Sequence, residues 1–331
     1  MASSTGAVPP FSLDKAQFDL TTWFGRTSHF FSITNPRYLF VSDADINAAK
    51  SKLDQFKAGT LPKGTPHSEL WGARTLCDAV LHSDTKEPVP TPFRVCAFVP
   101  ANVPICAGML MMPQTPFNVV FWQWVNQSYN AGFNYCNRNA SSSLDNQTLG
   151  TMYLSATALS VTMAIGLGKA VKKAPISPGT AALLGRIVPY CAVAGANVFN
   201  ICLMRSGELK SGIEVKDESG KVVGVSKEAA KAAITQAAIT RALMPAPVLL
   251  VPPVIMQLLD KCKLPPRIRP AVEFSVIIGC VAIALPAAIG VFPQEASIAV
   301  NKLEPELQQE LCSRSNADGS PITNLLFNKG V

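Results

Sequence analysis

Charge is scarce in this sequence. Asp, Glu, Lys and Arg make up 15% of its 331 residues, against about 25% in ordinary soluble domains. Hydrophobic residues reach 48% and the mean hydropathy is +0.23. Histidine is nearly absent. His29, His67 and His82 all precede the first long apolar run, and no two stand four apart, which removes the helical zinc pair and any evident haem or iron ligand set. Nine cysteines are scattered without a C-x-x-C pair, which argues against a disulfide framework and a zinc site. Neither a metal nor a cofactor is expected. There is no phosphate-cradling loop and no Ser/His/Asp set, so enzymatic chemistry is not expected either. His82 with Asp84 comes nearest to an acid–base pair, and a structural loop accounts for it. Met1–Pro10 carries neither a basic n-region nor an apolar h-region, so targeting by internal signals is expected.

What the chain does have is long apolar runs. A membrane span needs about 20 mostly apolar residues. Val95–Met112, Leu149–Gly168, Ala181–Met204, Ala242–Leu259 and Val272–Phe292 qualify. Buried helices of a soluble protein rarely run this long without charge. The expected fold is an all-α membrane protein: a polytopic bundle of about five transmembrane helices, with a further amide-rich segment that is amphipathic or re-entrant. Residues 1–94 form a water-facing helical region, 95–292 the bundle and 293–331 a polar tail. In a five-span alternation the basic loops Lys169–Thr180 and Asp260–Ala271 share the N-terminal side, which makes that side the positive one. A sixth segment inverts the scheme.

Local signals place the smaller elements. Ser42 and Asp45 have capping-box spacing, Ile46, Leu53 and Phe56 share a stripe, and Gly59 offers a stop. A second helix is expected over 68–81, with Leu70, Ala73, Leu76 or Cys77, and Val80 facing one way. Between the third and fourth spans, Arg205–Arg241 mixes seven basic with five acidic residues around a turn at Asp217–Lys221 with β-like flanks. Ser226 caps a helix there, with Glu228 in its first turn.

The unusual stretch is Trp122–Asn139, which holds five asparagines, two glutamines and no charge before Arg138. At about 100° per residue, with Asn126 at zero, Asn137 falls near 20°, Asn130 near 40°, Gln123 near 60° and Asn134 near 80°. An uncharged polar face results, backed by aromatic and aliphatic side chains. It fits three roles: an interfacial helix, although those normally carry Lys or Arg; glue between helices; or the wall of a polar path. Amides both donate and accept, which suits a zwitterion or hydroxylated solute better than a bare ion. On the third span, Tyr190, Asn197 and Asn200 each lie within about 40° of Arg186. Arg186 either snorkels to the interface or partners a substrate carboxylate. The candidate substrate-binding residues are Asn126, Gln127, Asn130, Asn134, Asn137, Arg186, Asn197 and Asn200. Pro100 and Pro104 in the first span, and Pro245, Pro247, Pro252 and Pro253 in the fourth, mark candidate broken helices.

Several stretches together resemble the sideroflexins. They include Trp122–Asn139, the region from Gly25-Arg26 to Asn35-Pro36-Arg37, and Gly185-Arg186-Ile187-Val188-Pro189. Gly290-Val291-Phe292-Pro293-Gln294, Lys302-Leu303-Glu304-Pro305-Glu306-Leu307 and Phe327-Asn328-Lys329-Gly330 also match, so the resemblance covers essentially the whole chain. His82-Ser83-Asp84-Thr85-Lys86 departs from a family His-Pro-Asp-Thr-Gly pattern at its Pro and Gly. The resemblance implies a multi-pass carrier of the mitochondrial inner membrane. It would move a small polar amino acid, notably serine for one-carbon metabolism, with tricarboxylates and iron homeostasis more loosely associated. Expected partners are that amino acid and the lipid bilayer, not nucleic acid. A rival expectation is a non-transporting scaffold, whose N-terminal region and mixed-charge loop would contact inner-membrane proteins or another copy of the chain.

Overall fold

The computed structural model describes residues 8–137, 146–217, 220–262, 265–291, 295–312 and 322–328, apart from residues 14, 63 and 84. The N-terminal region contains α1 (Trp23–Ile33), α2 (Asp43–Lys57) and α3 (His67–Val80). The local signals hold in detail. Ser42 Oγ accepts from the Asp45 N–H while the Asp45 carboxylate accepts from the Ser42 N–H, closing the capping box. Helix α2 ends on Gly59 at φ +70°, where the Gly59 N–H bonds Phe56 O and the Thr60 N–H bonds Gln55 O. That left-handed turn satisfies carbonyls the helix would otherwise orphan. Asp84 lies outside the described residues. The loop around it closes through Lys86, which adopts φ +57° at the position of the family glycine.

The bundle contains α4 (Phe98–Met111), α5 (Pro116–Cys136), α6 (Asn146–Lys173) and α7 (Pro178–Met204). After the short α8 (Glu208–Ser211) come α9 (Lys227–Leu243), α10 (Ala246–Leu249), α11 (Val251–Lys261) and α12 (Arg269–Val291). Among the described residues, 4 helical runs are long and apolar enough to cross a membrane: Gln147–Lys173, Pro178–Met204, Lys227–Leu259 and Arg269–Ala288. At 14 residues α4 is apolar but short, about 21 Å by helical rise. Prolines interrupt the third run. Pro245 and Pro247 have no N–H to donate and disfavour helix before them, so it divides into α9, α10 and α11.

Helix α5 presents its amide face inward. Gln123, Asn126 and Gln127 are buried, while Phe117, Phe121, Trp124 and Tyr135 are exposed. This inverts the pattern of a soluble helix. It also counts against an interfacial helix with its polar face in water. Close packing against α4 depends on Gly108, where a Cβ would stand 2.1 Å from the Trp122 ring.

Because α5 runs back alongside α4, the basic loops lie at the opposite end of the bundle from the N-terminal region. Lys169 and Lys172 share a cavity with the end of α4, the start of α7 and Arg269. At the other end, Asn137 Nδ2 donates to Phe93 O (2.9 Å), and the Arg26 guanidinium donates to Gly290 O at the end of α12 (2.9 and 3.1 Å). The five-span alternation put those loops beside the N-terminal region. The extra traverse by α5 separates them.

The tail also takes structure. Strands β1 (Ile213–Lys216), β2 (Val222–Ser226), β3 (Glu295–Ala299) and β4 (Asn324–Asn328) form one antiparallel sheet in the order β2-β1-β4-β3. Helix α13 (Pro305–Cys312) packs Leu307 and Leu311 into the same core as Val215, Leu325 and Phe327. Glu304 accepts from the Lys227 and Glu228 N–H groups (2.5 and 3.1 Å). It thereby supplies a negative charge where the α9 dipole favours one.

Candidate functional site

Two cavities lie along α5, α6 and α7, one at each end. The first, about 500 Å³, is lined by the N-terminal half of α5 up to Gln123, the C-terminal part of α6 and the start of α7. Lys169, Lys172, Arg186 and Arg269 border it with a single acid, Glu273, which pairs with Arg269 at 3.3 Å. Lys169, Lys172 and Arg186 are exposed, so they form a cationic mouth. The second cavity, about 390 Å³, lies at the end nearer the N-terminal region. Gln127, Asn130 and Asn134 of α5 face Asn197 and Asn200 of α7 across it. Both volumes fall in the ~300–1,000 Å³ range of small-molecule sites.

A layer of buried amides stands between the cavities. Gln123 borders the first and Gln127 the second, while Asn126 borders neither and is 6% exposed. Ser160 Oγ on α6 donates to Gln123 Oε1 at 2.6 Å, with both residues buried. Asn126 Nδ2 and Gln127 Nε2 are buried without a hydrogen-bond partner among the described residues. An orphaned buried donor costs about 1–3 kcal/mol.

The sequence candidates therefore divide. Five of them, Gln127, Asn130, Asn134, Asn197 and Asn200, meet at the second cavity. Asn126 belongs to the layer. Asn137 caps α5, with Nδ2 donating to Phe133 O (2.8 Å) as well as Phe93 O, and does not border the cavity. Arg186 borders the other cavity, about 16 Å along α7 from Asn197 by helical rise.

One residue at the second cavity escaped the sequence reading: Arg241, in the last turn of α9. The sequence pattern groups it with the mixed charges of 205–241. The signal was available, because Arg241 is the only charged residue between Ala232 and Leu259, and a lone charge in such a run points to function.

Long apolar helices with a polar interior and a cavity at each end define a multi-pass, transporter-like membrane protein. The sideroflexin family profile matches residues 12–331, and the chain belongs to that family. It is 41% identical to human Sideroflexin-5 over 327 residues, covering 98% of this chain and 94% of that one. It is 37% identical to the Sideroflexin of Dictyostelium discoideum, over 99% of this chain and 100% of that one. With Sideroflexin-1 of Ovis aries it shares 40% identity over the same proportions of the two chains. No solved structure matches the chain.

Proposed function

We propose that this chain carries a small polar amino acid, serine foremost, across the mitochondrial inner membrane and so supports one-carbon metabolism. The observation that carries this reading is the pair of cavities back to back across one amide layer. Access from one end at a time needs a vestibule on each side of a closed centre, opened in turn by rocking or gating of the surrounding helices. An uncharged layer of donors and acceptors suits a solute carrying an ammonium, a carboxylate and a hydroxyl.

A second reading is a tricarboxylate carrier. It is favoured by the cationic mouth of the first cavity, where Lys169, Lys172 and Arg186 stand without an acidic partner among the described residues. Such a mouth raises the local concentration of any anion, an effect that salt screens.

The test is uptake by the purified protein in liposomes from a panel of labelled serine, other small amino acids and citrate. Serine uptake is expected, and Asn130→Ala is expected to reduce it without lowering the thermal midpoint. Uptake of citrate alone would select the second reading. Absence of all flux, with co-purifying inner-membrane proteins or self-association, would point instead to a scaffold.

A further inference from the structure

We propose that Arg241 is the residue that binds the substrate carboxylate, and that the second cavity takes a solute with one carboxylate and no further net negative charge. The inference rests on the carrier reading and names the substrate class of that site.

Arg241 makes no hydrogen bond or ion pair with any described residue. A guanidinium remains charged at any accessible pH, and an unpaired charge inside an apolar bundle is costly. The chain offsets part of that cost locally. Arg241 sits in the last turn of α9, just before the break at Met244-Pro245, where helix carbonyls point outward and the dipole is worth about half a negative charge. No described residue supplies the remainder, and a substrate carboxylate entering the cavity would.

The cavity limits what that anion is. Among the described residues, Arg241 is the only charged side chain on its wall, and no Asp or Glu borders it. One guanidinium binds one carboxylate through two parallel hydrogen bonds. Three carboxylates would leave two negative charges in an apolar bundle, at the cost described for unpaired ions. A zwitterion leaves an ammonium to place, and the oxygens of Asn130, Asn134, Asn197 and Asn200 are the acceptors at hand. Arg186 cannot take this role from the far cavity.

The experiment uses the full chain in liposomes with labelled serine. The variants are Arg241→Gln and Arg241→Lys, with Lys231→Gln on the exposed face of the same helix as control. Unlabelled serine, 2-aminopropane-1,3-diol (the same skeleton without a carboxylate) and citrate serve as competitors. Arg241→Gln is expected to lower uptake by about tenfold or more, the scale of losing a charged hydrogen-bonded pair. Arg241→Lys should retain an intermediate rate, and the control the full rate. The diol and citrate should compete poorly against the unsubstituted protein, a readout that does not depend on any variant folding. Wild-type uptake in a folded Arg241→Gln, or competition by the diol equal to that by serine, would overturn the assignment of Arg241 while leaving the carrier intact. If the unsubstituted protein moves no amino acid, the carrier reading falls and this inference with it.

Discussion

The Ser160–Gln123 pair separates glue from path, because one hydrogen bond serves both interpretations. Replacing Ser160 with Ala removes the only partner that Gln123 Oε1 has among the described residues, at a position that is 2% exposed. An acceptor left unsatisfied there costs about 1–3 kcal/mol. Side-chain hydrogen bonds in membranes couple their partners by about 0.6 kcal/mol on average, and by at most about 1.7. Ser160→Ala is therefore expected to destabilise the bundle by about 1–2 kcal/mol. Gln123→Leu with Ser160→Ala, which removes both polar groups at once, should recover most of that loss. The assay is reversible unfolding of the detergent-solubilised protein in a denaturant titration, combined with serine uptake from liposomes. On the carrier reading the double variant recovers stability but not uptake, because the amide layer has lost a member. An unchanged unfolding midpoint for Ser160→Ala would show that the bond is not formed. Full uptake by the stable double variant would make Gln123 glue alone.

Other substitutions probe the frame around the site. Arg26→Lys cannot reproduce a fork that reaches Gly290 O, Leu20 O and Thr21 O together. It should cost roughly 2 kcal/mol or more and expose α1 to limited proteolysis, whereas unchanged cleavage would mean that α1 docks without the fork. Lys86→Gly relieves a left-handed backbone costing about 1–2 kcal/mol, less about 0.5–1 kcal/mol for the freer unfolded chain. A small gain in unfolding midpoint is expected, and a clear loss would refute the strained turn. Burial raises the Glu304 pKa, but hydrogen bonds from its own backbone, Ser226, Glu228 and Lys227 outweigh it and hold the carboxyl below its ordinary range. A depressed folded pKa stabilises fully above the ordinary value, about 4.3, and that contribution is lost as the pH falls through the depressed one. Protection factors for hydrogen exchange in β1 and β4 should therefore fall on acidification more in the native chain than in Glu304→Gln. An equal fall would remove Glu304 from the docking of the tail.

Features with a short-range physical cause were legible in advance. Ser42 and Asp45 are three apart, so the capping box could be read directly. The turn at Asp217–Lys221 and the Ser226 cap were legible for the same reason. The amide arc on α5 followed from helical spacing, as did the shared face of Asn197 and Asn200. Arg241 carries a signal as well, but the charges that precede it read as a loop. The helix in fact runs unbroken from Lys227 to Leu243, and this carries Arg241 into the bundle.

The sequence by itself determined which segments become helices, which are apolar enough for a bilayer, and which faces are polar, because each follows from residues within a few turns of one another. The tertiary structure decided what each face meets. Gln123 finds Ser160 thirty-seven positions away, and Asn137 spends its amide on Phe93, forty-four away. The tail of the chain completes a sheet begun by β1. Only the antiparallel pairing of α4 with α5 moves the basic loops to the far end and leaves two cavities on either side of one amide layer. Such contacts join groups distant along the chain, and helical periodicity carries no record of them.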